Sequence, residues 1–237
     1  MKKNLLNVLN VAMSLHLDWA THKAAKYAVE HWHYSRCMPS GKLVKVGVWE
    51  NKKFIGVVIF GNGSNPNIGS QFGLQQTECC ELVRIALRDH IYPVSKIISI
   101  SLRVLQKSNP GLRLVVSYAD TLEGHHGGIY QAGNWLYVGL NQKSGGFSYL
   151  INGKWVHKRS LGAKYGRRDT EYLDSLFPNA KKRKDSDKHK YLIPLDKAMR
   201  KQIEPLSKPY PKREKQGNEG FHPLPGGATP TLTLQAI

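Results

Sequence analysis

Apolar residues fall along this chain in two alternating rhythms, one of period two and one at helical spacing, so strands and helices are expected to interleave. Residues 1–20 carry Leu5, Leu6, Val8, Leu9, Val11, Ala12, Leu15 and Leu17, a weak helical pattern or apolar lead-in. Thr21 is placed to cap an amphipathic helix through Ala24, Ala25, Tyr27, Ala28 and Val29, running into His31-Trp32-His33-Tyr34-Ser35 and ended by Pro39-Ser40-Gly41. Residues 44–49 and 54–60 flank Glu50-Asn51-Lys52-Lys53, an antiparallel hairpin. Residues 61–73, rich in Gly, Asn and Ser, form a surface loop. Residues 81–87 alternate as a strand with Glu81, Val83, Ile85 and Leu87 on one side, and Arg84 on the side of Leu82 and Ala86. Residues 94–107 have helical spacing after Pro93.

The next strand, 115–121, is apolar until it breaks into Ser117-Tyr118-Ala119-Asp120 and then a turn containing Gly124-His125-His126-Gly127-Gly128. A buried strand that delivers polar groups at its C-terminal end, followed by glycines that let backbone approach a bound group, marks the place for an active site. A helix over 128–134 and a strand over 135–139 follow. Residues 149–151 and 154–157, joined by Asn152-Gly153, carry a type I′ hairpin signal, and 188–194 is one further strand.

Charge changes the picture. Among 237 residues, 35 Lys and Arg oppose 17 Asp and Glu, a formal charge of +18. Such an excess calls for a polyanion, and the basic residues Arg159, Lys164, Arg167, Arg168, Lys181, Lys182, Arg183, Lys184, Lys188 and Lys190 interleave with Trp155, Tyr165 and Tyr172 to suit phosphate contact and base stacking. Double-stranded DNA is the expected partner; a second copy of the chain is left open, and no membrane partner is expected because no apolar run is long enough to span. Three cysteines, Cys37, Cys79 and Cys80, offer no disulfide framework, and the Asn-broken N-terminus is no secretory leader, so a cytoplasmic location is expected.

The order of elements resembles the acetyltransferase fold usually called GNAT. More specifically, His33-Tyr34-Ser35, Glu81-Leu82-Val83-Arg84, Ser117-Tyr118-Ala119-Asp120 and Gly128-Ile129-Tyr130-Gln131-Ala132-Gly133-Asn134-Trp135 resemble the phage Mom DNA-modification family. The resemblance implies an α/β (α+β) fold, a GNAT-like mixed sheet flanked by helices over residues 1–160. A basic extension over 161–204, packed on or beside that domain, and a Pro-, Gly- and Lys-rich tail over 205–237, flexible or draped on the surface, are expected to follow. It also implies a transferase that places a carbamoylmethyl group on the exocyclic amine of adenine in phage DNA, shielding it from host restriction. By motif, the functional positions fall on Asp120, His33, Tyr34 and Ser117 for catalysis and on Arg84 and Tyr130 for the donor. An acetyl-CoA-like donor and iron are implied by the resemblance alone. His33, Asp120 and one of His125 or His126 have the ligand types of a non-haem iron site. Acetyltransferases hold the pyrophosphate of coenzyme A on a glycine-containing loop before the central helix, but here that place reads Arg88-Asp89-His90-Ile91-Tyr92-Pro93-Val94-Ser95-Lys96, without those glycines, so acetyl-CoA is not expected to bind in the usual manner.

Ordinary structural roles compete at each position. Asp120 could simply start a turn, His33 and Tyr34 could belong to an aromatic cluster with Trp32, Arg84 could pair with Glu81, and Tyr130 could be a core residue. Two other functions compete as well: a nucleic-acid-binding protein on an inactive acyltransferase-like core, and an acetyltransferase of a protein or small amine.

Overall fold

A computed structural model describes residues 14–212 except 64, 66, 142–145 and 186. The first strand, β1 (Leu15–Trp19), replaces the helical reading for the described end of the lead-in, whose residues 1–13 lie outside the described residues: Leu15 and Leu17 turn inward while their neighbours face solvent, and β1 pairs antiparallel with β2 (Leu43–Glu50). Between them α1 (His22–Trp32) starts where expected, with the Thr21 side chain accepting from the Ala24 amide. Strands β2 and β3 (Lys53–Gly61) form the expected hairpin, and Asn51 and Lys52 adopt φ of 49° and 66°, the left-handed pair that twists a two-residue turn to match its strands.

The connection to β4 (Cys79–Leu87) is less of a surface loop than its composition suggests, because Ile68, Phe72 and Leu74 are buried. After β4 come α2 (Val94–Ser108), β5 (Leu114–Asp120), α3 (Gly128–Gln131) and β6 (Leu136–Asn141). The type I′ hairpin is present as β7 (Phe147–Ile151) and β8 (Lys154–His157), with Asn152 and Gly153 at positive φ. It is followed by α4 (Lys158–Tyr165), α5 (Thr170–Leu176), β9 (Lys182–Lys184), β10 (Lys188–Pro194) and α6 (Lys197–Ile203).

Seven strands make one mixed sheet in the order β1-β2-β3-β4-β5-β10-β6, antiparallel except for the β4–β5 pair that α2 connects. The expected mixed sheet flanked by helices is therefore present. Strand β10 is the unexpected member: it comes from the span read as a basic extension, yet it lies between β5 and β6. Its Tyr191 and Leu192 are fully buried, which explains the position, since an apolar strand flanked on both edges loses the most water-exposed surface. The hairpin instead joins β9 in a separate sheet, β8-β7-β9, closed by α4 and α5 around Tyr149, Leu161 and Leu173.

One face of the large sheet receives Ile97, Ile98, Leu102 and Leu105 of α2, packed with Val58, Phe60, Leu82 and Val115. The other face receives Ala25, Ala28 and Val29 of α1 over Val57, Ile59 and Ala86, and farther along Met199 and Ile203 of α6 over Val116 and Leu192. Residues 207–212, expected to belong to a tail flexible or draped on the surface, are tied down: the Lys208 amide donates to Tyr137 O, the Tyr210 hydroxyl to Trp135 O, and Gln131 Nε2 to Pro211 O. The remainder of that tail, 213–237, lies outside the described residues. Among the described residues no helix is long and apolar enough to cross a membrane.

Candidate active site

A β-bulge organises the site. Across the β3–β4 ladder Ile59 faces Arg84 while Phe60 faces Leu82, so Val83 is the extra residue. On its other edge β4 pairs with β5 only from Cys79 to Leu82. Past the bulge β4 stays with β3 as far as Leu87, whereas β5 stays with β10 as far as Asp120. Two parallel strands thus part in the middle of the sheet. The bulge also corrects the expected alternation: Leu82 lies on the α2 face with Ile85 and Leu87, and Arg84 lies with Ala86 on the α1 face.

Above the gap, on the α1 side, the chain leaving α1 sets His33 and Tyr34 side by side with ring centroids 4.3 Å apart. His33 Nδ1 accepts from the Ser35 amide at 3.1 Å and meets Ser35 Oγ at 2.8 Å. An amide can only donate, so Nδ1 carries no proton and the neutral ring presents Nε2–H. Desolvation, then the Arg84 and His125 charges, pull the His33 pKa from 6.5 down to about 3, so it stays neutral at physiological pH. Tyr34 is 46% exposed and meets the His125 ring edge-on at 5.4 Å. Its phenol is held above the ordinary range, first by desolvation; Arg84 opposes the shift, and Asp120 and Glu123 add to it.

Arg84 donates through Nη1 to its neighbour Val83 O at 2.7 Å, and its Nε is buried with no hydrogen-bond partner. An unmatched buried donor costs about 1–3 kcal/mol, which an acceptor on a bound molecule would relieve. Asp120 takes the turn role that competed for it and an ion pair besides. Its Oδ1 accepts from the Leu122 amide at 3.1 Å, capping a 3-10 turn over Thr121–Glu123, and its Oδ2 lies 2.7 Å from Lys188 Nζ. Lys188 is directly opposite Asp120 in the β5–β10 ladder.

Ser117 and Tyr130 belong to the α2 face instead. Ser117 Oγ is 2.9 Å from Leu82 O and 2.7 Å from the Tyr130 hydroxyl. Since a carbonyl only accepts, the serine proton goes to Leu82 and the tyrosine proton to Ser117. Burial raises the Tyr130 pKa, and the hydrogen bond with Ser117 opposes that shift. The structure therefore gathers His33, Tyr34, Arg84 and Asp120 at the mouth of the gap and sets Ser117 and Tyr130 beneath it. Cys79 and Cys80 take no part: burial pushes both thiols up, Cys79 to about 12, away from the reactive thiolate.

The residues named for iron do not fit a metal centre. His33 Nδ1 is engaged by Ser35 and its Nε2 carries the proton, and the exposed His125 rests against Tyr34. Among the described residues no three or more His, Cys, Asp or Glu side chains gather to hold an ion. Two pairings escaped sequence reasoning. Lys188 had only its place in a basic run, and its apposition to Asp120 is a property of strand register. Glu50 looked like a turn residue, yet it is 6% exposed and its carboxylate accepts from the Ile91 amide at 3.0 Å through both oxygens and from the Tyr92 amide at 2.9 Å.

The basic residues expected to meet DNA surround the smaller sheet. Arg159, Lys164, Arg167, Arg168, Lys181, Lys182 and Lys184 are exposed, and Arg183 is half-buried. Several sit over aromatic rings: Arg183 lies 4.7 Å from the Trp155 ring, Lys158 5.0 Å from Phe147 and Arg167 4.8 Å from Tyr172. Lys182 pairs with Asp174 and Arg167 with Asp169, so part of this charge is internally balanced.

Residues 14–212 match the Mom protein family. Over 196 residues the chain is 29% identical to the methylcarbamoylase mom of Escherichia phage Mu, covering 79% of this chain and 80% of that relative. Among solved structures it is similar to a putative acetyltransferase from Acinetobacter baylyi ADP1, at 10% identity and a TM-score of 0.44, covering 78% of this chain and 94% of that one. A spermidine N-acetyltransferase from Vibrio cholerae gives 12% identity, a TM-score of 0.43, and coverage of 80% and 96%.

Proposed function

The chain belongs to the Mom protein family, and from that premise we propose that it is a DNA-modifying transferase that adds a carbamoylmethyl-type group to the exocyclic amine of adenine in phage DNA, protecting it from host restriction. The observation that carries the reading is the convergence of His33, Tyr34, Arg84 and Asp120 where β4 and β5 part.

The chemistry demanded of these groups is modest. Adenine's amine is delocalised into its ring and weakly nucleophilic, so a bond from that nitrogen to the donor carbon forms most easily if a base removes the amine proton. The leaving group departs from the donor carbon with the electron pair of the broken bond. Asp120 is the base in this scheme, with Lys188 holding one carboxylate oxygen so that the other is turned by the Leu122 amide. His33, neutral and presenting Nε2–H, and the protonated phenol of Tyr34 are donors suited to the leaving group or the base edge. The open Nε of Arg84 takes an acceptor of the donor molecule, and the buried Ser117–Tyr130 pair holds the floor of the gap in shape. A base inside a duplex cannot reach this cleft, so the target adenine is flipped out, and the basic surface around β9 and α4 grips the flanking phosphates.

Nucleoside mass spectrometry of DNA from cells expressing the chain tests the reading. A deoxyadenosine heavier by a carbamoylmethyl group is expected; only unmodified deoxyadenosine, with the protein folded and expressed, would refute it.

A further inference from the structure

Glu50 ends β2 with its carboxylate buried, which is costly unless its oxygens are matched by donors. The matching donors come from 41 and 42 residues away: the successive amides of Ile91 and Tyr92, in the loop that leads from β4 into α2. Two consecutive N–H groups converging on one acceptor make a small anion-binding concavity. The 15-residue α2 begins two residues after Tyr92, so its positive end adds to the field. Pro93 contributes no N–H, and Lys96 places its ammonium 4.5 Å from the Tyr92 ring. Against the acidic Asp89 of the same loop, the two amides, the start of α2 and Lys96 favour an anion, and the protein supplies that anion itself.

Resting on the transferase reading above, we propose that Glu50 is a specificity-determining residue for the donor: it fills the amide concavity ahead of α2 and so denies that place to the phosphates of a nucleotide-bearing donor. A phosphate entering there would have to displace a buried, triply hydrogen-bonded carboxylate or sit beside it against like-charge repulsion. The donor is accordingly a molecule recognised in the gap between β4 and β5, with no phosphate grip at residues 91 and 92.

The test is an amide titration of the full, 15N-labelled chain, following Ile91 and Tyr92 as inorganic pyrophosphate or coenzyme A is added. A local readout is needed because a chain of net charge +18 binds polyanions at many places. In the natural chain these two signals should stay unmoved. In Glu50→Ala they should move saturably, with affinity raised by roughly tenfold or more, the scale of one charge-assisted hydrogen bond. Glu50→Gln keeps the size and one acceptor but not the charge, and should show a smaller gain; it decides the matter if Glu50→Ala does not fold. Saturable movement in the natural chain, or no tighter binding in a folded variant, would overturn the proposal. Nucleoside mass spectrometry on the natural chain reports separately on the transferase reading, so the two can fail independently.

Discussion

Replacing Asp120 with Asn separates its two structural duties from its proposed chemistry. Asn keeps a side-chain oxygen for the Leu122 amide, so the turn over Thr121–Glu123 should survive. It loses the ion pair with Lys188, whose side chains are 27% and 17% exposed, between the surface case worth under about 1 kcal/mol and the buried case worth about 3–5. A loss of about 1–3 kcal/mol is expected, and at roughly 2–4 °C per kcal/mol for a chain of this size the melting temperature should fall by about 2–12 °C. The chemical loss should be far larger, about 10²–10⁴-fold in modified adenine if Asp120 accepts the amine proton. Adding Lys188→Met removes the stranded cation and should return most of the stability while modification stays lost. Plasmid DNA from expressing cells, digested to nucleosides, gives the first readout, and thermal melting of the purified variants gives the second. Retained modification in Asp120→Asn, or modification recovered along with stability in the double variant, would show that the carboxylate serves charge balance and not proton transfer.

Other consequences can be checked independently. Removing the exposed Lys181 and Lys184 together should weaken DNA binding at low salt and flatten the slope of log affinity against log salt by about 0.9 for each phosphate no longer neutralised; an unchanged slope would take them out of the interface. Because folding pulls His33 from 6.5 down to about 3, the unfolded chain takes up a proton that the folded chain refuses, so stability should fall as pH drops below 6.5, by up to about 1.4 kcal/mol per pH unit. His189, also lowered by desolvation, works in the same direction, and the slope between pH 6.5 and the 3.8 ordinary for the Asp196 and Asp174 carboxyls should shrink in His33→Gln urea titrations. Truncation after Leu206 removes the hydrogen bonds of Lys208, Tyr210 and Pro211 to β6, Trp135 and α3, and should lower the melting temperature, whereas a fully flexible segment would give no change.

What the chain's own order of residues determined was local. The β2–β3 and β7–β8 hairpins follow from a few turn residues between alternating strands, α1 from Thr21 before a stripe of alanines, and the polar tip of β5 from Ser117 to Asp120 at the end of an apolar run. Each depends on neighbours within a few positions, whose sterics and hydrogen bonds act before any tertiary contact forms. Motifs could also mark His33, Tyr34, Arg84 and Asp120 as a set. Only the tertiary structure decided how they meet. The bulge at Val83 shifts Leu82 to one face and leaves Arg84 on the other, and alternation along a single strand is blind to a residue that its partner strand leaves unpaired. The insertion of β10 sets Lys188 against Asp120, and the packing of the β2–β3 turn against the loop before α2 sets Glu50 on the Ile91 and Tyr92 amides. Those pairings join segments far apart in the chain, where register is chosen by which apolar faces can be buried together and which buried charges can be matched, and no local pattern encodes that choice.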